Sequence, residues 1–103
     1  MKIKVPKQIK IGGWNYSIVL FLSLEDEGLN GAHNSRQTRI ELNPNRPKAR
    51  WMQTLIHEFT HANNYVYNNG KLSEDEVSAI AEGFYQIFIE LGIELDWSDI
   101  PSI

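Results

Sequence analysis

Cysteine is absent from this chain, which excludes disulfides and thiolate zinc sites alike. Any metal would have to be held by histidine, aspartate or glutamate. No stretch approaches the ~20 consecutive apolar residues of a membrane-spanning helix. Positive charge is not in excess either: 10 Lys and Arg stand against 13 Asp and Glu, a formal net charge of −3. No basic field therefore argues for nucleic acid as a partner. The first residues, Met1-Lys2-Ile3-Lys4-Val5-Pro6, lack the apolar core of a signal peptide. The expectation is a cytoplasmic protein with no membrane partner, and the missing cysteines fit a reducing compartment.

The 103 residues are 42% apolar and 22% charged, which suits one folded domain with one core over residues 1–103. No internal repeat, linker or low-complexity segment divides it. Residues 7–11 alternate polar and apolar as a half-buried strand does, and Gly12-Gly13 then signals a hairpin turn. Trp14 to Leu22 is rich in aromatic and β-branched residues and reads as a second strand. Residues 23–31 read as a loop, Gly31-Ala32-His33 as the start of a short strand, and Thr38–Leu42 as another strand. Asn43-Pro44-Asn45-Arg46-Pro47 stops that strand and sets up a helix.

This first helix is expected from about Pro47 to Tyr67. Met52, Leu55, Ile56, Phe59, Ala62 and Val66 recur at core-facing spacing. Asn68-Asn69-Gly70 ends it. Ser73 is a good N-cap for a second helix, Glu74 to Leu91, whose stripe is Val77, Ile80, Ala81, Phe84, Ile87, Phe88 and Leu91. The tail after Gly92 is expected to pack loosely. Strands first and two helices after predict an α+β fold, a small antiparallel or mixed sheet of three to four strands against a helical pair.

The chemistry concentrates in His57-Glu58-Phe59-Thr60-His61. On a helix, positions i and i+4 share a face, so both imidazoles can reach one metal ion. Glu58 is rotated by about 100° from His57. It flanks the ion without ligating it, as a general base for water requires. The helix is predicted from apolar periodicity independently of the motif, and two histidines beside an accidental glutamate are the bland alternative.

A catalytic zinc ion takes three protein ligands and keeps one position open. The third ligand is sought among Glu74, Glu76, Asp75, Glu82 and His33. Glu74 lies on the inward face of the second helix. Glu76 competes, although Ser73-x-x-Glu76 also reads as a capping box. Asp75 reads as first-turn charge, Glu82 as part of a solvated face, and His33 as a surface histidine. Tyr65, Tyr67 and Tyr85 are candidate oxyanion donors, each with aromatic packing as the plainer reading.

With these residues in view, Leu55–Tyr85 resembles the zinc-binding core of small gluzincin-type metallopeptidases. It is similar to the minigluzincins and to the phage- and mobile-element-associated ImmA/IrrE-type metallopeptidases. Their second motif runs roughly Glu-x-x-Ala-Asn-x-Phe-Ala. Glu74-Asp75-Glu76-Val77-Ser78-Ala79-Ile80-Ala81 matches it in outline, with Val77-Ser78 in place of Ala-Asn. The resemblance implies a zincin-like fold, one Zn²⁺ held by His57, His61 and Glu74, and Glu58 as general base. It also implies a peptide or protein substrate, lying along Thr38–Leu42 as a substrate-lining edge strand. The rival readings are a zincin-fold regulatory or interaction module with little proteolysis, and a metal-free structural domain.

Overall fold

The computed structural model describes all residues, Met1–Ile103. The chain forms six strands and two long helices: β1 (Lys2–Lys4), β2 (Gln8–Ile11), β3 (Trp14–Leu20), β4 (Gly31–Asn34), β5 (Arg39–Leu42), α1 (Trp51–Tyr67), α2 (Glu74–Glu90) and β6 (Glu94–Asp96). The fold is α+β. Its main sheet is mixed, with strand order β2-β3-β5-β4. β2 and β3 form an antiparallel hairpin through Gly12 and Gly13, whose φ values of 59° and 87° suit glycine. β3 runs parallel to β5, and β5 antiparallel to β4.

One face of this sheet is the core. Ile18 pairs with Ile40 and Leu20 with Leu42, so their side chains share a face with Tyr16. Tyr16, Ile18, Ile40 and Leu42 are 0–1% exposed and pack in one cluster with Trp51, Leu55 and Ala62 of α1. Gly31 and His33 oppose Leu42 and Ile40 in β4, so they lie on this same face. That register decides the site: the outer strand presents position 33 and a side-chain-free position 31 to the helix carrying the two histidines.

Several boundaries differ from the sequence-based expectation. The segment read as a loop contains a 3-10 helix, Leu22–Glu27, closed by Gly28 at φ 67° and anchored by buried Leu24. β3 accordingly stops at Leu20. The first helix begins with a 3-10 turn, Lys48–Arg50, and becomes α-helical only at Trp51. There the Trp51 indole N–H donates to the Arg46 carbonyl at 3.0 Å and holds the helix start in place. Thr38–Leu42 is not an edge strand. β5 lies between β3 and β4, with its ladder groups paired on both sides, so a substrate strand cannot add to it. The edge strand beside α1 is β4.

The tail is also more ordered than expected. β6 pairs in parallel with β1, Ser102 bridges to Leu20, and Ile100 is buried. Trp97 meets Trp51 edge to face at 5.5 Å. Both segments are too short for their periodicity to have revealed the pairing, which depends on contact between the two chain ends. The apolar stripe of α2 is only partly used: Val77 and Ala81 are buried, whereas Phe84 is 50% and Ile87 52% exposed. α2 packs chiefly on α1, and one helix contact cannot cover so wide an apolar arc.

Candidate metal centre

The interhelix turn brings Glu74 to the histidines. Asn68 and Asn69 close α1, with Asn69 and Gly70 in the left-handed region at φ 55° and 68°. Asn64, buried within α1, ties this turn down. Its side-chain oxygen accepts from the Leu72 backbone N–H at 3.1 Å and from the Asn68 amide at 3.2 Å. Ser73 then caps α2 through a complete capping box: its hydroxyl accepts from the Glu76 N–H at 3.1 Å, and Glu76 accepts from the Ser73 N–H at 2.8 Å. Glu76 is thereby turned back on its own helix, and these bonds hold its carboxyl below the usual carboxylate range.

Glu74, the residue after Ser73, is left free to reach α1. One of its oxygens lies 3.0 Å from His57 Nε2 and the other 2.9 Å from His61 Nε2. The imidazoles stand edge to face, 4.9 Å apart between centroids. Ligand atoms of His57, His61 and Glu74 all lie within 4.8 Å of one another. Two imidazole nitrogens and one carboxylate, converging on a cleft open to solvent, are a donor set suited to zinc with a position left for water. The residues present fit the metal. Asp75 and His33 are not in this group, and Glu82 lines the same cleft one helical turn beyond Ser78.

Glu58 sits behind the pair and is 7% exposed. Burial pushes its carboxyl up to about 7, helped by the negative charges of Glu74 and Glu41. Gly31 of β4 packs close to it. A methyl group on Gly31 would lie 2.5 Å from Thr54 Cγ2, 2.8 Å from the Glu41 carbonyl oxygen and 3.3 Å from Glu58 Cγ. Only glycine lets the edge strand approach the helix so closely at the level of the proposed base.

His33 follows two residues later along the strand, and its role differs from a surface histidine's. Its Nε2 is 2.9 Å from the Tyr16 hydroxyl, and its ring packs at 5.5 Å on Tyr65, one turn after His61. The buried Tyr16 hydroxyl has this nitrogen as its only side-chain partner. Which of the two donates follows the tautomer of His33, since a hydroxyl can give or accept this bond. Burial and the neighbouring His61 lower the His33 pKa, while burial and Tyr65 raise that of Tyr16. Tyr67 is committed elsewhere, its hydroxyl accepting from the Gly12 N–H at 2.8 Å. Tyr85 is half-buried on α2 and outside the cleft lining.

The cleft has a volume of about 640 Å³. Its floor is α1, one wall is α2, and the other is the Leu29–Gly31 segment. Asn43, 0% exposed, donates to the Leu29 carbonyl at 2.9 Å, and Arg46 donates to the Asn30 side chain at 2.8 Å. Residues read from the sequence as a strand stop thus brace the cleft wall. Asn64, Asn43 and Gly31 are the functional-site supports that the sequence did not single out. Asn and Gly in turn-rich segments were the only signal, and such residues ordinarily mark turns. Comparison of the chain with protein-family models, with curated proteins and with solved structures found no match.

Proposed function

We propose that this chain is a minimal zinc-dependent peptidase of the gluzincin type, hydrolysing peptide bonds with Glu58 as general base. The observation that carries the reading is the His57–His61–Glu74 cluster in an accessible cleft, with the buried Glu58 carboxyl beside it. A base that must both accept and release a proton works best with a pKa close to the working pH.

His57, His61 and Glu74 would hold the ion. Bound zinc supplies Lewis-acid chemistry, lowering the pKa of water from 15.7 towards about 7 and polarising a carbonyl. Glu58 Oε takes a proton from the attacking water as its oxygen bonds to the carbonyl carbon. Glu58 then delivers that proton to the amide nitrogen as the C–N bond breaks. Glu58 is 7% exposed, with Gly31 of the edge strand close to its side chain, so little bulk water reaches the carboxyl. The edge strand β4 has one unpaired ladder side, on which an extended peptide can add as a further strand.

The test pairs metal content with turnover. Protein purified without an affinity tag for metals is expected to carry one zinc per chain and to cleave a peptide library, with cleavage stopped by a chelator. Glu58→Gln is expected to keep the metal and lose at least 100-fold in kcat, the scale of general-base catalysis at about 10²–10⁴. Full activity of Glu58→Gln on the same peptides would remove Glu58 from the mechanism.

One observation favours a second reading, a metal-binding interaction module with little proteolysis. The apolar residues Ile80, Phe84 and Ile87 of α2, with Leu91 just past its end, are exposed, as a partner-binding face would be. Stoichiometric zinc with no cleavage of any library member selects this reading.

A further inference from the structure

We propose that Arg50 forms an anion subsite, making this protein selective for peptides that carry a carboxylate about three residues from the cleaved bond. The inference rests on the peptidase reading and specifies its substrate class.

Of the 12 residues lining the cleft, only Leu29 is apolar, so the cleft offers no greasy pocket for a large aliphatic or aromatic side chain. Selectivity must come from polar groups, and Arg50 is the single cation among them. The chain's ion pairs engage Arg39 with Glu41 and Arg46 with Glu25, and none includes Arg50. Its guanidinium also takes no part in the side-chain hydrogen bonds that brace Arg46 and Arg39. Arg50 lines the cleft with five N–H donors in a planar fork that the protein does not use, and such a fork matches a carboxylate in two-point geometry.

Besides Glu58 and Glu74, the same cleft is lined by one further carboxylate, Glu82. Glu74, Ser78 and Glu82 recur every fourth residue and line the opposite wall. Glu82 lies outside ion-pair distance of Arg50 and leaves it free, but opposes any anion that enters.

The helix sets the distance. Arg50 precedes His57 by seven residues and Glu58 by eight on the same stretch of chain, which at 1.5 Å per residue is about 10–12 Å along the axis. An extended peptide advances about 3.3 Å per residue. A carboxylate held by Arg50 thus belongs about three residues from the bond beside Glu58. It has two sources, an Asp or Glu side chain or the substrate's own C-terminus.

The test uses zinc-loaded protein and a quenched-fluorescent peptide library randomised on both sides of the cleaved bond, synthesised as C-terminal amides and as free acids. The wild type is expected to favour Asp or Glu over Lys about tenfold in kcat/KM at one position two to four residues from the cut. Arg50→Gln should flatten that preference through KM, and Arg50→Glu should invert it towards Lys. Glu82→Gln should sharpen it. If the preference appears only with free acids ending at that position, the C-terminus is the carboxylate recognised. Arg50 is exposed, so these variants should melt with the wild type and bind equal zinc. Cleavage with a profile unchanged in Arg50→Glu overturns the subsite and leaves the peptidase reading standing. No cleavage by the zinc-loaded wild type overturns both.

Discussion

Replacing Glu58 by Gln should stabilise the metal-free protein, and by an amount that depends on pH. Burial raises the Glu58 carboxyl from the ordinary 4.5 to about 7. Between those values the folded state keeps a proton that the unfolded state has released. Stability therefore falls as pH rises through this window, and the loss is complete above pH 7. At 1.36 kcal/mol per pH unit, the interval amounts to about 3 kcal/mol. Gln is uncharged at every pH and nearly isosteric, so it removes this dependence. In excess chelator, urea unfolding followed by circular dichroism should give Glu58→Gln an advantage that grows by about 3 kcal/mol between pH 4.5 and pH 8. The other ionisable groups are common to both proteins and largely cancel in the difference. Zinc should shrink the gap, because a nearby dication favours the ionised carboxylate. An identical difference between the two proteins at pH 4.5 and pH 8 would refute the buried, proton-holding Glu58.

Glu74→Gln should weaken zinc binding at least tenfold by isothermal titration, whereas Glu76→Ala should leave it unchanged and cost about 1 kcal/mol of stability through the lost capping box. Neither His57 nor His61 has a second protein partner on its other ring nitrogen, so chelators should strip the metal readily, with a lower melting temperature as the readout. Asn64→Ala frees the Leu72 N–H and unties the interhelix turn, and should cost about 2 kcal/mol in thermal unfolding while also loosening zinc binding. Gly31→Ala forces β4 away from Thr54 and Glu58, and should cost about 1–3 kcal/mol. Retained zinc with reduced turnover in that variant would show the strand's approach acting on the base rather than on the ligands.

Local features were legible in the sequence wherever one residue type answers one local demand. The Gly12-Gly13 hairpin, the Ser73 cap and the two helices follow from backbone preference and apolar spacing, and all appear in the fold. Spacing also placed His57 and His61 on one helical face. It left the competition between Glu74 and Glu76 open, because which first-turn carboxylate reaches α1 depends on how the chain enters the helix. Asn64 and the capping box decide that entry by directing Glu76 back to Ser73 and Glu74 forward to the imidazoles.

What the chain's own pattern determined is therefore the α+β class, the helix under the histidines and the chemistry that two imidazoles with nearby carboxylates invite. Only the tertiary structure decided which strand lies at the edge, how deeply Glu58 is buried, and which charges face the cleft. Periodicity reports which face of an element is buried, and it is silent about which element does the burying. β5 and β4 look alike as short strands, yet strand order makes one interior and the other the rim of the cleft. Spacing marks Glu58 as a candidate base, but its burial and the charges of Glu74 and Glu41 that raise its proton affinity come from the tertiary packing, with Gly31, 27 positions earlier, close against it.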